Sequence, residues 1–222
     1  MTCKTPAAPK APALHFDPAC RACPRLATFL RNVRKEYPAY HAAPVAPFGP
    51  DDARLIIVGL APGMHGANAT GRPFTGDYAG ILLYETLHRF GFSNQPTATH
   101  RGDGLELRNC RITNAVKCLP PENKPIGAEV GNCNRFLAVE LKRMPADGVI
   151  LALGSVAHRA VLKALGLRAS ACKFAHGARH ALPDGRRLVD SYHCSRYNTQ
   201  TRRLTEAMFH AVFAELRALL DR

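Results

Sequence analysis

The chain contains no run of about 18 consecutive apolar residues, so it has no sequence candidate for a membrane-spanning helix. Its first residues, 1–14, are mostly Ala, Pro and Lys and lack the apolar core of a secretory signal. That stretch is expected to be a disordered tail, followed by a single domain over 15–222. With neither an export signal nor a span, a cytoplasmic location and no membrane partner are expected. Acidic residues are scarce: 17 Asp and Glu stand against 30 Lys and Arg, a formal net charge of +13. A basic chain of this kind suggests a polyanionic partner, most simply nucleic acid. A compositional bias towards Arg and Ala is the plainer alternative. The eight cysteines are not accompanied by the export signal that a disulfide scaffold needs. Metal or iron–sulfur ligation is therefore the better default for them.

What is present suits one sizeable α/β domain: 222 residues, 46% hydrophobic and 21% charged. Leu26, Phe29, Leu30 and Val33 recur at helical spacing after residue 24. Residues 37–50 carry four prolines and read as an extended loop. Apolar, β-branched runs at 54–60, 110–116, 148–154 and 187–193 read as buried parallel strands. Helices are expected over 78–90, 128–144, 155–165 and 204–220. The helix over 78–90 turns Ile81, Leu82, Leu87 and Phe90 to the core, and Asp77 or Thr75 caps it. Ser155 caps the helix over 155–165. A short β segment within 172–182 is a weaker expectation. Residues 93–108 are polar and irregular, and the prolines of 117–125 oppose regular structure. Strands alternating with helices predict a three-layer α/β/α fold around a central four-stranded, mostly parallel sheet.

The stretch that organises the rest begins as the strand Ile56-Ile57-Val58 and breaks into Gly59-Leu60-Ala61-Pro62-Gly63, then continues through Gly71-Arg72-Pro73-Phe74-Thr75-Gly76-Asp77. Ligands of α/β proteins bind where such loops leave the carboxyl ends of strands. Gly63, Gly66, Gly71 and Gly76 let backbone approach a ligand closely. Asp77, Asn114 and His193 are placed at the carboxyl ends of predicted strands, and all three are expected to meet at one edge of the sheet.

Cys20 and Cys23 form a CxxC pair, and Cys118 and Cys133 add two more thiols. Four thiolates suffice for tetrahedral zinc or for a [4Fe–4S] cluster, and spacing does not separate the two. Buried apolar cysteines are the bland alternative. Cys118 weighs against it, because a proline-rich loop offers little core. Cys3, Cys110, Cys172 and Cys194 read as unpaired.

Three blocks then converge. The first is 59–63 with 70–77. The second is Asn114-Ala115-Val116-Lys117-Cys118 with Pro120-Pro121-Glu122-Asn123-Lys124-Pro125. The third runs from Ser191-Tyr192-His193-Cys194-Ser195 through Thr205. With the spaced cysteines, they resemble the iron–sulfur uracil-DNA glycosylases, and within these the type-5 (B-type) branch. The resemblance runs from about Cys20 to the end. Leu60 stands where the type-4 branch usually has Glu, and Gly63 where many type-5 members have Ala. The resemblance implies excision of uracil from double- or single-stranded DNA by a monomeric enzyme of bacterial type. Other deaminated bases, such as hypoxanthine or xanthine, are expected substrates. It also implies a [4Fe–4S] cluster on Cys20, Cys23, Cys118 and Cys133.

A base inside a duplex must be flipped out before it can be cut. Phe74 matches the stacking aromatic, Asn114 can both donate to and accept from the pairing edge, and Gly59, Ala61 and Gly63 offer main-chain contacts. His193 matches the donor that stabilises the departing base. The first motif of better-known glycosylases carries an Asp or Asn; Leu60 and Ala61 cannot replace it, so Asp77 is the expected water-activating group. Arg196, Arg202 and Arg203 are expected to bind phosphates and Tyr197 to act as a wedge in the base stack. Plainer readings stay open: a helix cap for Asp77, a core residue for Phe74, structural roles for Asn114 and His193, and solvated arginines. A type-4-like enzyme restricted to uracil, a non-catalytic iron–sulfur DNA-binding module and a zinc-binding nucleotide-processing enzyme remain rivals.

Overall fold

The computed structural model describes residues 16–221. The tail expected over 1–14, with Cys3, lies outside the described residues. The first helix, α1 (Pro24–Glu36), starts on a proline, whose missing N–H costs nothing in a first turn. It buries Leu26, Leu30 and Val33. The first strand, β1 (Leu55–Gly59), is wholly buried. Leu55 and Ile57 enter one core, and Ile56 and Val58 the other. An uninterrupted apolar run is what a strand covered on both faces requires.

Strands β2 (Cys110–Asn114), β3 (Val149–Leu153), β4 (Arg179–Ala181) and β5 (Arg187–Ser191) complete one sheet in the order β2-β1-β3-β5-β4. The four long strands are parallel. The fifth, β4, differs from the four-stranded expectation. It is a three-residue antiparallel edge on β5, formed because the chain reverses tightly just before β5, with Gly185 at φ 91.

One face of the sheet is covered by α3 (Tyr78–Arg89) and α7 (Glu206–Leu220). The other is covered by α4 (Gly127–Arg143) and α5 (Ser155–Ala164), giving the three layers. Short helices α2 (Ala67–Thr70) and α6 (Arg196–Gln200) lie in the loops after β1 and β5. Leu30 and Val33 of α1 share a small separate core with Leu119 and Ala42.

Several local expectations are corrected. Ile81 is 56% exposed, whereas Leu87 is buried as expected, together with Leu83 and Tyr84. Leu83, Tyr84 and Leu87 form the stripe that packs on the sheet, which leaves Ile81 on the outer face. Gly154, at φ 95, takes the N-cap position of α5, and Ser155 becomes its first residue. That turn needs a left-handed residue, which glycine supplies. The last helix begins at Glu206 rather than 204, because the Thr205 side chain accepts from Met208 N. The proline loop holds one 3-10 turn, Pro121–Asn123, which the fixed proline angle tolerates at its first position.

Candidate active site

The loops after β1, β2, β3 and β5 leave one side of the sheet, and a cavity of about 400 Å³ opens between them. β1 leads to β2 on one side, and its other neighbour β3 leads to β5 on the opposite side. The loops turn apart there, which is where open α/β sheets hold their ligands. Asp77, Asn114 and His193 all line this cavity, with Ala61, Gly63, Phe74 and Arg196. A volume of this size suits a small organic ligand.

Phe74 occupies φ 54, a rare setting for a bulky side chain. Its ring lies 5.8 Å from that of His193, with 26° between the planes. Gly59 is not part of the cavity wall. A Cβ there would stand 2.4 Å from Asn114 Oδ1 and 2.7 Å from Phe74 Cζ, so Gly59 makes room for those two side chains. Of the four loop glycines, only Gly63 lines the cavity; the others shape the turn.

On two residues that line the cavity, Asn114 Oδ1 and His193 Nδ1 are buried without a hydrogen-bond partner among the described residues. Leaving such an atom unmet costs about 1–3 kcal/mol, so the pair marks a site built for a ligand. Burial pushes the His193 imidazole down to about 4, so it is neutral at neutral pH. Its backbone is held by Asn198, whose Nδ2 donates to His193 O at 2.8 Å.

Asp77 is the N-cap of α3: Gly80 N donates to Asp77 Oδ1 at 2.9 Å. Burial raises its carboxyl above the usual range, against the opposing pull of the Gly80 and Ala79 N–H groups. Cap and cavity wall are thus one residue, with a carboxylate less stable than an exposed one.

Around the mouth, the Arg196 guanidinium lies 5.1 Å over the Tyr78 ring. Tyr197 is 70% exposed. Arg202 borders an adjoining groove with Tyr78 and Ile81. Arg203 turns away, its guanidinium 4.7 Å over the Tyr192 ring.

Cys20, Cys23, Cys118 and Cys133 are free thiols lining one small cavity between the start of α1, the loop after β2 and α4. Lys117 N donates to Cys133 Sγ at 3.2 Å, and Arg135 Nη2 to Cys20 Sγ at 3.4 Å. Such donors favour thiolate sulfur. Among the described residues, only His158, His180 and Asp190 bring three metal-type donor atoms within 4.8 Å of one another. The four thiols meet in one cavity, and such a donor set fits a thiolate-held metal centre.

Residues 46–217 match the family model of the uracil DNA glycosylase superfamily. The chain belongs to that superfamily. It is 48% identical over 206 residues to the type-5 uracil-DNA glycosylase of Thermus thermophilus, covering 90% of this chain and 94% of that one. The corresponding type-5 protein of Pyrobaculum aerophilum is 44% identical over 190 residues, 84% of this chain and 82% of the other. Similarity to the type-4 uracil-DNA glycosylase of Thermotoga maritima is 37% over 107 residues and spans 48% of this chain. Likeness to the type-5 branch therefore runs through most of the molecule, and likeness to the type-4 protein through half.

Within the superfamily framework, the sequence reading missed Asn123. It lines the cavity from the proline loop, at φ 56 beside Glu122 at φ 54. The signal was available: an Asn, tolerant of left-handed backbone, sits in a proline-braced loop that begins at a cluster-type cysteine. Leu60, Ser155 and Val156 were also missed as wall residues. Ser155 was hidden by its expected role as a cap.

Proposed function

We propose that this protein is a monofunctional DNA N-glycosylase that excises uracil from DNA and leaves an abasic site. The observation that carries this reading is the unpartnered pair Asn114 Oδ1 and His193 Nδ1 beside Phe74. A flipped base stacks on Phe74, and its polar edge meets Asn114, with Asn123 within reach of the same cavity. The glycosidic bond breaks with its electron pair leaving on the base. Neutral His193 stabilises the developing anion by donating a hydrogen bond from the ring nitrogen that carries its one proton. Asp77 orients a water towards the sugar carbon and receives its proton as the new C–O bond forms. The raised carboxyl suits that exchange, since a buried carboxylate is a better base than an exposed one. Arg196 and Arg202 hold phosphates beside the lesion, Arg203 contributes less, and exposed Tyr197 enters the base stack.

We extend the reading to hypoxanthine and xanthine. The cavity of about 400 Å³ has room for a purine, and Leu60 and Ala61 add no polar group that would demand uracil. The test is excision from single- and double-stranded oligonucleotides carrying uracil, hypoxanthine or xanthine. Alkali-labile sites are expected with all three. Their absence at uracil would favour the rival DNA-binding module, which the lack of a carboxylate at Leu60 and Ala61 keeps in view.

Cys20, Cys23, Cys118 and Cys133 are proposed to hold a [4Fe–4S] cluster, supported by their meeting in one cavity. When bound, it supplies four iron–thiolate bonds that tie α1 to the Cys118 loop and α4. About four irons per chain are expected, and one zinc per chain would overturn the assignment.

A further inference from the structure

The segment 91–108 looks featureless in the sequence, but its fold is centred on one carboxylate. Asp103 accepts from Thr99 N at 2.8 Å and from Leu105 N at 3.1 Å. Both its oxygens also face the Arg72 guanidinium: Nη1 donates to Oδ1 at 2.8 Å and Nη2 to Oδ2 at 2.6 Å. The pair is almost closed to solvent, with side chains 5% and 7% exposed. A two-pronged, desolvated Arg–carboxylate pair fixes orientation as well as distance. Of the three N–H groups that remain on Arg72, that of Nε donates to Thr75 Oγ1 at 2.8 Å. Arg72 and Thr75 therefore clamp the chain on either side of Pro73 and Phe74.

Phe74 is where a clamp is needed. A phenylalanine at φ 54 is strained, and such conformations persist only where the surroundings over-determine them. Tyr84 Oη donates to Pro73 O at 2.7 Å from the other side. At Gly80 a Cβ would lie 1.8 Å from Phe74 O, so α3 packs directly on the strained carbonyl. Neither Arg72 nor Asp103 lines the base cavity.

We propose that Asp103 and Arg72 are positioning residues for base excision, holding Phe74 in its left-handed conformation so that its ring faces the flipped base. The inference rests on the stacking role proposed for Phe74. Without the clamp, the backbone relaxes towards negative φ and the ring leaves the cavity floor. Because the ring also braces His193, excision should suffer more than folding.

The test is a double-mutant cycle on kcat/KM for uracil excision, with Asp103→Asn, Phe74→Ala and the pair, all assayed well below their melting temperatures. Asp103→Asn is expected to lose roughly tenfold in the wild-type background and less than about twofold in the Phe74→Ala background. Equal losses in both backgrounds would overturn the proposal, since a merely structural defect ignores the residue at 74. If Phe74→Ala alone keeps full activity, the stacking reading fails instead, and the two failures are distinguishable. Thr75→Val removes the Arg72–Thr75 link and leaves the Asp103 pair intact. It is expected to reproduce part of the loss, again only when Phe74 is present; full activity in Thr75→Val would count against the clamp. Asp103→Glu, which keeps the charge, is expected to recover part of the activity.

Discussion

The ring of Phe74 lies 5.8 Å from that of His193 with 26° between their planes, so the two side chains proposed to meet the base also brace each other. Removing the Phe74 ring is expected to cost about 1–3 kcal/mol of base stacking. Removing the His193 donor is expected to cost about 10²–10³ in kcat, the scale of a lost oxyanion-type contact. Single-turnover excision measures both, and the double variant should lose less than the product of the two. Because burial holds the imidazole down to about 4, His193 should give no inflection in the activity profile near the ordinary histidine value of about 6.5.

Asp77 has two duties that two substitutions separate. Asp77→Asn keeps a good N-cap, so melting should change little, while excision falls sharply if the carboxylate activates water. Asp77→Ala loses both, with about 1 kcal/mol of stability gone as well. Burial raises the carboxyl, so wild-type activity should decline on acidification at a pH above the ordinary aspartate range. That acid limb should be missing from whatever activity Asp77→Asn retains. An Asp77→Asn protein with full activity would reduce the residue to a cap.

Arg196 and Arg202 border the open face, whereas Arg203 is folded onto Tyr192. Replacing Arg196 or Arg202 with Ala should weaken DNA binding and reduce the slope of log K against log salt by about 0.7–0.9 per lost phosphate contact. Arg203→Ala should leave the slope nearly unchanged. Binding isotherms at several salt concentrations check the order.

A separate cluster controls stability rather than chemistry. His158 Nδ1 lies 2.8 Å from Asp190 Oδ1, and its Nε2 lies 3.0 Å from the Cys172 carbonyl. Both ring nitrogens thus face acceptors, an arrangement that favours the doubly protonated ring. Burial pulls its pKa down, but Asp190 outweighs this and raises it above the ordinary value. The stability it contributes is complete below about 6.5 and is lost as pH rises through the folded value. Urea unfolding from pH 6 upward should show that decline in the wild type. His158→Gln should be less stable at pH 6 and lack the decline.

The pattern of apolar runs and turns was enough to place all four parallel strands and the three layers. Continuous β-branched stretches such as 55–58 have few other solutions in a chain of this size. The meeting of Asp77, Asn114 and His193 was legible for the same reason: each is placed at the carboxyl end of a predicted strand, and parallel strands send those ends to one side. The facing of Ile81 was not legible, because packing against the sheet and not the correctly expected cap decides which apolar residues of α3 turn inward. The split between wall and support was hidden too. Gly59 proved to be space for Phe74, and Asn123 a wall residue. Local spacing alone therefore set which elements form and which chemistry-bearing residues they carry. Only the tertiary structure decided which atoms remain buried and unpaired and which distant carboxylate, Asp103, grips the Phe74 loop. Those outcomes depend on contacts between residues far apart in the chain, and no local period records them.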